Sequence, residues 1–123
     1  MITISHEPNY LHVAVVHEFT VHDYREFEDN VLYELRFHGS ASLLFDLTEM
    51  LGYTLDMAVE EIQFVRAHRR DFKRIAIVAD DQWVTWSAWL NQLISEAEIE
   101  VFDDLESAQG WLNENLSDMK ATA

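Results

Sequence analysis

The chain has 123 residues, 49% hydrophobic and 25% charged, the size and composition of one globular domain rather than a disordered segment. It contains no cysteine, which excludes disulfides, thiolate catalysis and cysteine-bound metals. Eight Lys and Arg against 23 Asp and Glu leave a formal charge of −15, a field that repels nucleic-acid phosphates and anionic lipid headgroups.

The first residues, Met1-Ile2-Thr3-Ile4-Ser5-His6-Glu7, lack the cationic and apolar segments of a secretion signal. No apolar run approaches the ~20 residues of a membrane span. A cytoplasmic protein without stable membrane insertion is expected. Ile2 to Ser5 and Leu11 to His17 read as two strands joined by the turn Glu7-Pro8-Asn9, and so short a connection implies an antiparallel hairpin.

A helix follows, capped by Thr20, with Asp23 three residues on as the capping-box partner and Phe19 stapled against Tyr24. Tyr24, Phe27, Val31 and Leu35 give it an apolar face, and Arg36 and Gly39 suit its C-terminal end. Ser42 to Leu47 is a near-continuous apolar run, as in strands covered on both faces. A second helix is expected from Thr54, with Leu55, Ala58, Ile62 and Val65 inward. Arg74 to Ala79 is the clearest buried strand. A third helix after Asp80-Asp81 carries Trp83, Trp86, Leu90 and Leu93 in a stripe. Ile99 to Phe102 is the last strand. Asp103 and Glu106 then form a capping box for a final helix with Leu105, Ala108, Leu112 and Leu116 inward.

The order ββαβαβαβα predicts an α/β fold: a mixed, mostly parallel sheet of about five strands with four helices and right-handed crossovers. We expect one domain over 1–123, with a flexible tail at 117–123.

Several segments carry a family likeness. They are Thr20-x-x-Asp23-Tyr24, Leu43-Leu44-Phe45-Asp46-Leu47, and Phe72-x-Arg74-Ile75-Ala76-Ile77-Val78 running into Asp80-x-x-Trp83-x-x-Trp86. Glu100-Val101-Phe102 followed by Ala108-x-x-Trp111-Leu112 completes the set. In order and spacing, from about Ile4 to about Leu116, the chain resembles the STAS fold. It resembles more closely the SpoIIAA-like family of small bacterial proteins, whose fold is also similar to lipid-binding CRAL-TRIO domains. The resemblance implies a regulatory module that works by binding proteins. The founding anti-anti-sigma proteins carry a phosphorylatable serine in an Asp-Ser-Ser/Thr-Gly turn. Here the stretch is Glu49-Met50-Leu51-Gly52-Tyr53-Thr54, without serine, and Thr54 reads as a helix cap.

Candidate chemistry is sparse. Three scattered glycines, Gly39, Gly52 and Gly110, cannot form a phosphate loop. His6, His12, His17, His22, His38 and His68 lack metal-ligand spacing. Asp46, Asp80, Asp81, Asp103 and Asp104 follow strands, where α/β sheets place ligand crevices, but the paired ones also precede helices as caps. Arg66, Arg69, Arg70, Lys73 and Arg74 offer either an acidic-partner site or cations at a helix C-terminus. Trp89 and Trp111 sit at the edges of their helical stripes, as core rim or as pocket lining. No catalytic residue, metal or cofactor is expected.

The stretch after the third strand is unusual for a loop, because Leu47, Met50, Leu51 and Tyr53 crowd into it. It reads either as packing or as a binding surface. The candidate partner- or ligand-binding residues are therefore Asp46, Thr48, Met50, Leu51, Tyr53, Thr54 and Trp83. The expected function is non-enzymatic protein contact, with an unidentified protein or a second copy in a homodimer. The alternative is carriage of a small apolar or lipid-like ligand.

Overall fold

The computed structural model describes residues 1–68, 70–79 and 96–122, with side chains up to residue 114. Strand β1 (Ile2–His6) pairs antiparallel with β2 (Leu11–Phe19), and helix α1 (Val21–His38) then leads to β3 (Ala41–Tyr53). Helix α2 (Leu55–Ala67) precedes β4 (Phe72–Val78), and β5 (Glu98–Phe102) precedes α3 (Leu105–Thr122). The sheet runs β1-β2-β3-β4-β5, with β2 to β5 mutually parallel. The α/β fold and its mostly parallel five-stranded sheet are as the sequence implies. Three helices lie among the described residues; the expected helix bearing Trp83, Trp86, Trp89, Leu90 and Leu93 lies outside them.

Strand alternation divides the core between two faces. Leu11, Val13 and Val15 of β2, Leu43, Phe45 and Leu47 of β3, and Ile75 and Ile77 of β4 point one way. They meet Tyr24, Phe27 and Val31 of α1 and Met57 and Phe64 of α2 in one buried cluster. Parallel strands stepping the same way along a sheet, each by a right-handed crossover, place consecutive helices on one side. On the other face Leu44, Ala76 and Val78 pack under Ala108 and Leu112 of α3. Double coverage explains why β3 and β4 are almost wholly apolar.

Helix α1 forms as its sequence dictates. Thr20 Oγ1 accepts from the Asp23 N–H at 3.2 Å, and Asp23 accepts from the Thr20 N–H at 3.1 Å, closing the capping box. Phe19 and Tyr24 touch, with ring centroids 5.8 Å apart. Gly39 ends the helix with φ 77°, a left-handed conformation that glycine takes without strain.

Three expectations are corrected. The apolar stretch after Leu47 is not a loop: β3 continues to Tyr53, because β2 runs alongside it to Phe19 and satisfies its backbone. Bulges in the ladder, with His17 at φ 62°, break the alternation that would have revealed the strand. In α2 the buried residues are Met57, Glu61, Phe64 and Val65, whereas Leu55 is exposed and Ala58 and Ile62 are half-buried. Of the expected inward residues Val65 alone is buried, and the rest of the buried face is Met57, Glu61 and Phe64. Lastly, α3 is capped by Asp104, not Asp103: Asp104 Oδ1 accepts from the Ser107 N–H at 2.7 Å and Oδ2 from the Ser107 hydroxyl at 2.9 Å. The helix backbone runs on to Thr122, through most of the expected tail.

Candidate functional site

The candidate residues converge on the C-terminal end of β3 and the start of α2, apart from Trp83, which lies outside the described residues. Asp46 is within β3 rather than after it, between Ala14 and Val78. Its Oδ1 accepts from the Thr48 hydroxyl at 2.6 Å and the Thr48 N–H at 3.1 Å. That local turn opens the bulge, after which Glu49 stands opposite Val16 and Met50 opposite His17.

Beyond the bulge the strand separates its apolar side chains. Met50 enters the core beside the α1 residues, and half-buried Tyr53 packs against the same cluster. Leu51 points outward and is 74% exposed. The Thr54 N–H donates to the Phe19 carbonyl at 3.1 Å, tying the α2 start to the β2 end. Thr54 Oγ1 accepts from the Met57 N–H at 3.3 Å, so Thr54 is the helix cap. Leu55 and Val59 follow, one helical turn apart, and are 82% and 53% exposed.

The structure thus leaves Leu51, Leu55 and Val59 exposed around the β3–α2 junction and removes Met50 to the interior. Sequence reasoning missed Leu55 and Val59. The sequence places Leu55 in a core-facing stripe with Ala58, Ile62 and Val65, and it carries no signal for Val59. Exposed Glu49 and Asp56 and half-buried Glu60 are their neighbours in the chain.

Helix α2 also carries an acidic seam against α1. Glu61 is buried, its Oε2 has no hydrogen-bond partner among the described residues, and burial pushes its pKa up to about 7. Burial and a hydrogen bond to Glu60 lift Glu28 to about 7 as well. Tyr24 faces all three carboxyls; its phenol is raised well above 10, by burial first and by their charge second. Two carboxyl groups bonded across a helix seam hold together only by sharing a proton.

The other sequence candidates are occupied structurally. Arg74 stacks over Trp111 at 4.8 Å, donates to the Trp111 carbonyl at 2.9 Å and pairs with Glu98 at 2.9 Å. Arg70 pairs with Glu96 at 3.4 Å, and Arg69 lies outside the described residues. Of the carboxylate edge, Asp46 and Asp104 hold their own turns, Asp103 is exposed, and Asp80 and Asp81 lie outside the described residues. Among the described residues no group of three His, Asp or Glu is placed to hold a metal, and no helix is long and apolar enough to cross a membrane.

Comparisons with known proteins agree with this architecture. Residues 10–113 match the family model described as SpoIIAA-like. The chain is similar to an uncharacterised protein of the DUF3478 family with a SpoIIAA-like fold from Shewanella loihica PV-4. The TM-score is 0.70 at 26% identity, covering 91% of this chain and 92% of that one. It also superimposes on the anti-sigma factor antagonist SpoIIAA in its unphosphorylated form, with TM-score 0.58 and 98% of both chains covered. At 6% identity that likeness concerns the fold alone. No curated protein matches the sequence significantly.

Proposed function

The chain belongs to the SpoIIAA-like family, and on that premise we propose that it is a non-enzymatic binding module whose contact surface is the end of β3 and the start of α2. The observation that carries this reading is the exposure of Leu51, Leu55 and Val59, all within nine residues of chain at the β3–α2 junction. Three large aliphatic side chains on the surface of a chain charged −15 cost solubility without adding to the core. Natural sequences break their own patterning mainly where function demands it.

The neighbouring charges state the chemistry of the partner. Glu49 and Asp56, both exposed, neighbour these residues in the chain, so the complementary surface is an apolar patch edged by Lys or Arg. Charge complementarity of that kind speeds encounter, while the aliphatic contacts hold the complex. The serine-free turn fits a contact that is made constitutively, with Leu51 and Leu55 where a phosphorylated turn would otherwise gate it.

The test is quantitative affinity purification with the wild-type chain and with the Leu51→Asp/Leu55→Asp variant, followed by reconstitution of any enriched protein. Loss of one stoichiometric partner at unchanged melting temperature is the expected result. Equal capture by both forms overturns the proposal. Native mass spectrometry of the purified chain covers the remaining class: a tightly held apolar ligand appears as excess mass and makes the protein a carrier instead.

A further inference from the structure

A second apolar surface lies on the outer face of α1, away from the β3–α2 junction. Leu32, Tyr33 and Phe37 are all exposed there. The Tyr33 and Phe37 rings stack with centroids 4.7 Å apart, and Tyr33 meets His6 edge-on at 5.4 Å. His6 is itself fixed, its ring nitrogens lying 2.5 Å from Glu34 Oε1 and 2.8 Å from Asn30 Oδ1. The amide of Asn30 donates to the Glu26 carbonyl, so its oxygen must face the imidazole. Tyr33 therefore stands on a rigid support, which lowers the entropy lost on docking. Beside it open two shallow clefts of about 440 Å³ and 250 Å³.

The charges at the smaller cleft follow a symmetry. Its lining is Asp29, Leu32, Tyr33 and Arg36. Asp29 and Arg36 are both exposed, and neither makes an ion pair among the described residues. They stand two helical turns apart, one on each side of Leu32 and Tyr33. A twofold axis between Leu32 and Tyr33 exchanges position 29 with 36 and position 32 with 33. In an isologous contact, residue i meets j while j meets i.

We propose that the outer face of α1 is a self-association surface on which two copies pack their helices antiparallel. Asp29 of each copy pairs with Arg36 of the other, and Leu32 of each lies on Tyr33 of the other. The choice of a second copy rests on this mixed charge. A basic partner would be drawn to the acidic majority of the surface and repelled by Arg36. A like copy, repelled almost everywhere by the −15 charge, is compensated here twice over.

Sedimentation velocity over a concentration series tests the proposal. The wild-type chain should form a dimer. Asp29→Arg and Arg36→Asp should each weaken it about tenfold or more, since each sets like charges together at two symmetric places. The double variant should recover association, because the swap restores both pairs. Asp29→Asn and Arg36→Gln should weaken it in the same direction by less. Circular dichroism melts establish that each variant is folded, as expected for exposed positions. A wild type that remains monomeric to roughly 1 mM, a concentration marking association too weak to matter, overturns the proposal. So does a dimer that the single reversals leave intact, or a double variant as weak as either single.

Discussion

Helices α1 and α2 lie side by side on one face of the sheet, and their polarity is arranged differently. Helix α1 buries an apolar face of Tyr24, Phe27 and Val31, joined by Asp23 of its capping box. Helix α2 buries Glu61 among Met57, Phe64 and Val65, and leaves Leu55 and Val59 in water. In α1 local signals and tertiary contacts agree on which face is buried, while Leu32, Tyr33 and Phe37 stay exposed on the outer face. In α2 they conflict, and the conflict falls on the helix whose start carries the proposed contact surface. A buried acid with Leu55 and Val59 on the outside is a stability cost that packing alone does not explain.

The contrast is tested most strongly within α2. Met57→Ala should destabilise the chain by about 2–5 kcal/mol, the range for deleting a fully buried Met side chain. Leu55→Ala should change stability by less than about 0.5 kcal/mol. Chemical denaturation of the two variants side by side checks the assignment of faces. Comparable losses at both positions would mean that Leu55 is core, and the distinction between the helices would vanish.

Glu61 offers the next largest effect. Folded Glu61 keeps its proton up to about pH 7, whereas an unfolded glutamate releases it near 4.3. Between those values the folded chain binds more protons than the unfolded one, so stability falls as pH rises through that window. Above it the loss is complete, at about 4 kcal/mol from this group. Glu61→Met should therefore stabilise the chain at pH 8 by about that amount, have little effect at pH 4, and flatten the profile between. Urea midpoints from pH 4 to 8 measure this. A profile equally steep in the variant would place the pH dependence elsewhere, with Glu28 the next group to examine.

The helix caps give the smallest difference. Thr20 takes part in a reciprocal box, while Thr54 makes one 3.3 Å bond to a Met57 N–H that Asp56 also accepts at 2.9 Å. Thr20→Ala should cost about 1–2 kcal/mol and Thr54→Ala about half as much. Thermal melts with a shared baseline resolve the two. A reversed order would show that α2, not α1, is the better-capped helix.

How much of this was legible in the sequence depended on the range of the signal. The α1 start, its buried face and its glycine stop were all readable, because a cap, a staple and a 3.6-residue period are written within a few residues. The hairpin and the central β3 and β4 runs were readable for the same reason. The strand from Thr48 to Tyr53 was not: its alternation is interrupted by bulges that exist only because β2 lies beside it. For α3 the sequence points to Asp103 with Glu106 as the cap, whereas the helix begins one residue later and Asp104 caps it through Ser107.

The sequence by itself determined the order of elements, the parallel sheet and the acidic character of the surface, since these follow from periodicity, connection length and composition. Tertiary structure alone decided which side of α2 faces inward. Two stripes compete on that helix, Leu55-Ala58-Ile62-Val65 and Met57-Glu61-Phe64; by local hydrophobicity the first is the better, yet only its Val65 is buried. Phe64 settled the choice by packing edge-on against Tyr24 and Phe27 of α1, each at 6.1 Å. Burying those rings together outweighs the desolvation of one carboxyl that can keep its proton, and so turns Leu55 and Val59 outward with Leu51.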